Sequence, residues 1–186
     1  MKSFTALMTL LWIVCIPLAA QMPVQLTSDE QALMEAAHSG RFDEVRRLVV
    51  EGTAVDVADP ENRTPIMFAA FNGHTEVVAF LLDAGGEVDH KDLNGRTALM
   101  YAASGPFGET VELLLENGAE INTQGSLEGF TALMTAAAEG QLEVVRLLLA
   151  NEADRNLEDK DGDTAETFAR QSGHSAVAEL LAMGDQ

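Results

Sequence analysis

Apolar residues recur along the chain at i, i+3 and i+4 in short runs, separated by polar segments rich in Gly, Asp and Asn. One such run is Glu76-Val77-Val78-Ala79-Phe80-Leu81-Leu82, with counterparts from Glu109 to Leu115 and from Glu143 to Leu149. That spacing places one apolar stripe along a helix. The leading Glu suits the positive end of the helix dipole. A shorter helix precedes the first of these runs. Thr64 reads as its N-cap, Pro65 takes N1, where a missing N–H is harmless, and the helix runs to about Phe71. Gly73, Gly140 and Gly173 supply the turn after the shorter helix, and Gly85 and Gly118 the C′ residue after the longer one. The segments 88–95 and 121–124, rich in Asp and Asn, read as turns. The fold class is all-α.

The pattern is periodic. Arg63-Thr64-Pro65-Ile66-Met67-Phe68-Ala69-Ala70 aligns with Arg96-Thr97-Ala98-Leu99-Met100-Tyr101-Ala102-Ala103 at a spacing of 33 residues. Phe130-Thr131-Ala132-Leu133-Met134-Thr135-Ala136-Ala137 follows at 34, and Asp163-Thr164-Ala165-Glu166-Thr167-Phe168-Ala169-Arg170 at 33. A divergent first copy lies at Gln31 to Ala37. Periods of this length mark solenoids. The repeat resembles the ankyrin repeat on the Thr-Pro-Ile-Met-Phe-Ala stretch, the Gly-His-Thr-Glu-Val-Val string, Gly-Ala-Glu-Ile-Asn at 118–122 and Asp-Leu-Asn-Gly-Arg-Thr-Ala-Leu at 92–99. The resemblance implies a solenoid of five stacked helix-turn-helix units with projecting hairpin loops and a concave, protein-binding side. The domain is expected over 28–186, with repeats at about 28–58, 59–91, 92–124, 125–158 and 159–184. The chain departs from the family by placing Met34, Met67, Met100 and Met134 where His is usual, and Gly105-Pro106-Phe107-Gly108 in place of the Gly-His turn. Glu166 stands where Leu is usual, which suits a polar C-terminal cap. Glu35 and Arg47, at inner positions of the first repeat, suit an N-terminal one.

Residues 1–20 read as a signal peptide, with Lys2 as a minimal n-region, an apolar stretch from Phe4 to Ile16, Pro17, and a cleavage site at Leu18-Ala19-Ala20. Residues 21–27 form a lead-in. An uncleaved anchor is the alternative, though the run is shorter than the roughly 20 residues a span needs. Lipid attachment at Cys15 is disfavoured by Val14 before it. Cleavage takes the basic count from 11 to 10 against 30 acidic residues, a net charge of −20, and removes the lone cysteine. A thiol-free chain suits an oxidising compartment, so the expected location is periplasmic or secreted, with no stable membrane anchor after cleavage.

The uncleaved chain carries a net charge of −19 and a pI near 4.3. A phosphate polymer would be repelled, which argues against nucleic acid as a partner; a protein partner, and a basic one, fits better. No cofactor or metal is implied. The four register methionines are one helix spacing apart, roughly 8–10 Å, too far to share a copper(I) ion, and read as core filler. Asp159 to Asp163 resembles part of a calcium loop, but aligning on Gly162 puts Leu157 and Phe168 where acidic ligands are required. His38, His74, His90 and His174 lack zinc spacing. Neither a nucleophile elbow nor a phosphate loop is present, and no carboxylate pair is singled out for acid–base work, so an enzyme is not expected.

The expected function is therefore a protein–protein interaction module. The candidate contact residues, on hairpin tips and on the exposed side of the first helices, are Arg63, Phe71, Asn72, Lys91, Arg96, Phe130, Glu139, Asp161 and Asp163. Register puts Arg63, Arg96, Phe130 and Phe71 on one side, over roughly 20–30 Å. Phe71 and Phe130 read either as interface anchors or as rings folded back onto neighbouring helices. Two narrower alternatives are an immunity or inhibitor protein that neutralises a basic toxin or enzyme, and an accessory factor in peroxide or envelope-stress defence.

Overall fold

A computed structural model describes residues 26–183. The expected signal peptide, its cleavage site, Cys15 and residues 21–25 of the lead-in lie outside the described residues. Among those described are ten helices and no strand: α1 (Ser28–His38), α2 (Phe42–Val50), α3 (Pro65–Phe71), α4 (Thr75–Asp83), α5 (Ala98–Ala103), α6 (Gly108–Glu116), α7 (Ala132–Ala138), α8 (Leu142–Ala150), α9 (Ala165–Gln171) and α10 (Ser175–Ala182). They form five helix–turn–helix pairs, stacked as an inner row of first helices and an outer row of second helices.

The first helices pack more closely with one another than the second helices do. Their side chains explain why. The pairs Ala36-Ala37, Ala69-Ala70, Ala102-Ala103 and Ala136-Ala137 are fully buried, and methyl side chains let inner helices approach. The second helices meet through larger columns, Val45-Val78-Val111-Val145 and Leu48-Leu81-Leu114-Leu148-Leu181, which are also buried. A stack that is tighter along one row than the other is concave on the tight side. The register methionines are core, from Met67 and Met134 at 1% exposed to Met34 at 7%.

The first repeat departs from the register. Helix α1 begins one turn earlier than its counterparts, at Ser28, where Thr27 and Glu30 form a reciprocal capping box. That local capping box fixes the earlier start. Thr64 holds the extended N-cap backbone, yet its hydroxyl caps nothing and is buried without a partner. Thr131 does cap, accepting from the backbone N–H of Met134 at 3.2 Å.

Three sets of bonds tie each repeat to the next. The backbone N–H groups of Glu87, Glu120 and Asp154 donate to the side-chain oxygens of Asp56, Asp89 and Asn122, at 3.0, 2.9 and 2.9 Å. At the hairpin tips, the N–H groups of Leu93, Leu127 and Lys160 donate to the carbonyls of Glu61, Asn94 and Glu128. Pro60 takes the equivalent place in the second repeat, so the first tip presents no unpaired donor. At the inter-helix turns, Nε2 of His74 and of His174 lies 3.1 Å from the carbonyl oxygens of His38 and Ala138 in the preceding repeats. Phe107 replaces that histidine in the third repeat. Its ring lies between Gly73 and Gly105, where neither glycine has room for a Cβ.

Candidate protein-binding face

The second and third hairpins are built on one plan. In the second, Oδ1 of Asp59 accepts from the backbone N–H groups of Glu61 and Arg63, at 3.0 and 2.8 Å. Its Oδ2 accepts from Nε of Arg63 at 2.7 Å. The guanidinium, so anchored, lies over the Phe68 ring at 4.9 Å, a cation–π contact. In the third, Oδ1 of Asp92 accepts from the N–H groups of Asn94 and Arg96, both at 2.8 Å. Its Oδ2 accepts from Arg96 Nε at 2.9 Å and from the Tyr101 hydroxyl at 2.8 Å. Arg96 again lies 4.9 Å over the ring.

These contacts set the charge states. Burial alone would raise the Asp92 carboxyl; the Arg96 backbone N–H, the Tyr101 hydroxyl and the Arg96 guanidinium together outweigh it and hold the group below its usual range. Burial, and then the hydrogen bond to Asp92, push the Tyr101 phenol up to about 12. The hydrogen bond to Asp59, opposed by burial, raises Arg63. Each hairpin thus carries a fixed arginine clamped on a fixed ring.

The other predicted residues fall at separate places on the stack. Phe71 is 47% exposed and meets Tyr101 edge-on at 6.1 Å. With His38, Arg63, Met67, Phe68 and Tyr101 it lines a pocket of about 220 Å³. Phe130 folds back: it is half-buried, with its ring 4.9 Å from Phe168 on α9, although one edge and Arg96 still border a smaller pocket of about 150 Å³. Asn72 caps α3 and donates to the Phe68 carbonyl at 3.1 Å, with His38 Nδ1 at 2.9 Å, so it braces the stack beside the pocket. Lys91, Glu139 and Asp161 are exposed at separate points along the stack. Asp163 accepts from Gln171 at 3.4 Å at the far end. There Oδ1 of Asp159 accepts from the N–H groups of Asp161 and Asp163, at 2.9 and 2.8 Å, which makes the segment a hairpin turn. Phe68, Tyr101 and His38 were missing from the expected set. The signal for the two rings lies in the register, since an aromatic follows the hairpin arginine by five residues in both repeats, and His38 takes the register position of Phe71, 33 residues earlier.

A family model described as ankyrin repeats in three copies matches residues 33–125 and again 107–186. The chain belongs to the ankyrin-repeat family. Ankyrin repeats are generally protein–protein interaction modules, and proteins built from them are typically not enzymes. No curated protein matches the chain. Among the described residues of this ankyrin-repeat chain, no helix is long and apolar enough to cross a membrane.

Proposed function

We propose that this chain is a binding module of the periplasm or the extracellular space. It captures a basic protein through the concave face and the hairpin tips. The observation that carries this reading is Phe71, a large ring left 47% exposed on an ordered platform of arginines and aromatics, in a chain with 30 acidic residues against 11 basic. Surface aromatics and arginines held rigidly on one face are the usual anchors of protein interfaces. A surplus of one charge speeds capture of a partner of the other sign. Seven of the arginines are already paired to carboxylates, so the surplus facing a partner is negative.

Location rests on the leader-like residues 1–20. The charge equally suits an inhibitor or immunity protein acting on a basic toxin or enzyme, a narrower form of the same reading. A peroxide-defence role through the register methionines gains no support, because those sulfurs are buried. The test is affinity capture from a bacterial envelope extract with immobilised residues 21–186. The expected result is a retained protein of high pI that elutes as salt rises. An acidic partner, or retention indifferent to salt, would contradict the charge argument.

A further inference from the structure

We propose that two adjoining pockets beside Phe68 select the partner, and that their occupant is a basic protein segment carrying large apolar side chains between its lysines or arginines. This deepens the reading above and rests on it. The pocket of about 220 Å³ at Phe71 and Tyr101 adjoins one of about 280 Å³ lined by Leu26 and Met34 and by the polar Gln31, Glu35 and Asp59. The two share His38 and Phe68, whose rings meet edge-on at 5.9 Å. Each offers space on the scale of a large side chain.

The walls define the chemistry of that side chain. Most polar groups there are already engaged: Arg63 by Asp59 and Glu61, the Tyr101 hydroxyl by Asp92, Nδ1 of His38 by Asn72, Glu35 by Arg41, and Nε2 of Gln31 by the Leu26 carbonyl. The open surface is mainly the rings of Phe68 and Phe71 and the side chain of Leu26, with the methionines as the buried floor. An apolar side chain gains burial there, whereas a polar one would lose its water without a partner. The surround defines the flanks. With ion-pair partners included, Glu35, Glu44, Asp59, Glu61 and Asp92 face Arg41, Arg63 and Arg96, a local excess of carboxylates on a chain of net charge −19. Basic residues on either side of the apolar ones match that excess, and acidic ones are repelled. The fourth and fifth repeats offer no such site, because Thr135 stands in place of the aromatic and Phe130 lies against Phe168.

Three synthetic peptides test the assignment against residues 21–186: Lys-Lys-Leu-Lys-Leu-Lys-Lys, the same with serine for leucine, and the same with glutamate for lysine. Fluorescence anisotropy gives affinities and nuclear magnetic resonance gives the footprint. The leucine–lysine peptide is expected to bind and to shift the signals of His38, Phe68, Phe71 and Tyr101. The serine peptide should bind at least about 10-fold more weakly and the glutamate peptide not measurably. Phe71→Ala should weaken the leucine–lysine peptide at least about 5-fold with circular dichroism unchanged, and Glu112→Ala should leave it unaltered. Equal binding of the serine or glutamate peptide, or a footprint in repeats four and five or on the second helices, overturns the proposal. A footprint elsewhere on the concave face overturns the pocket and leaves the basic-partner reading standing. If no peptide binds, the pocket assignment falls, and the envelope capture decides the broader reading independently.

Discussion

Gly73→Ala isolates how the repeats are held together. Gly73 has φ +67°, and a Cβ there would lie 2.6 Å from Cγ and from Cε1 of Phe107. The ring cannot retreat, because its opposite edge lies against Gly105, which also has no room for a Cβ. Two costs add: about 1 kcal/mol for an L side chain in the left-handed region, and about 1–3 kcal/mol for overpacking. The sum is about 2–4 kcal/mol. Gly118→Ala is the control, since Gly118 has φ +86° and nothing within 4 Å of its Cβ; it bears the backbone cost alone. Urea unfolding followed by circular dichroism should therefore show a clearly lower midpoint for Gly73→Ala than for Gly118→Ala. Adding Phe107→Ala to Gly73→Ala should relieve the clash and give a coupling of about 1–3 kcal/mol. Equal losses for the two glycine variants, with no coupling, would refute the packing of Phe107 across the repeat boundary.

The remaining predictions concern charge, capping and processing. Tyr101 is the chain's single tyrosine, so phenolate absorbance reports it directly: the midpoint should lie at about 12 in the folded protein and near 10 when unfolded. Because the folded value is the higher one, its contribution to stability is complete below about pH 10 and is lost as pH rises towards 12; Asp92→Asn should lower the folded midpoint. Asp92 has the opposite sign. Its contribution is present above the ordinary carboxyl range and lost as pH falls through its depressed value, so acid unfolding should begin at a higher pH in Arg96→Ala. Thr64→Val should be neutral or slightly stabilising, because it removes a buried hydroxyl with no partner. Thr131→Val should cost about 1 kcal/mol, because it removes a working cap; thermal melts distinguish the two. Exported protein should begin near Gln21 and so lack both Trp12 and Cys15; intact Met1 in a membrane fraction would make the leader an anchor.

The period made much of the fold legible. A spacing of 33 determines which positions share a face, so the helix pairs, the left-handed glycines and the buried methionines could be read from residue order. Four things could not. The early start of α1 follows a local capping box of Thr27 and Glu30, whereas a register taken from the later copies puts the N-cap at Gln31 instead. The idle hydroxyl of Thr64 depends on side-chain geometry that the Thr–Pro signature does not specify, and the same residue type caps in the fourth repeat. The fates of the two candidate anchors depend on the residue opposite in the next repeat. Phe130 meets Phe168 and is half-covered, whereas Phe71 meets only the edge of Tyr101 and stays open. Likewise Arg63 and Arg96 are candidate contact residues by register, but each is clamped by an aspartate four residues earlier in its hairpin. They serve as a rigid frame for the rings beneath them.

Isothermal titration of the captured partner against paired variants tests the binding face most directly. Phe71→Ala should weaken binding by about 1–2 kcal/mol and leave the melting temperature nearly unchanged, because the ring is 47% exposed. Glu112→Ala and Arg146→Ala, exposed on the second helices, should change neither. Full affinity in Phe71→Ala combined with loss of binding in the second-helix variants would place the partner on the convex side and contradict the account.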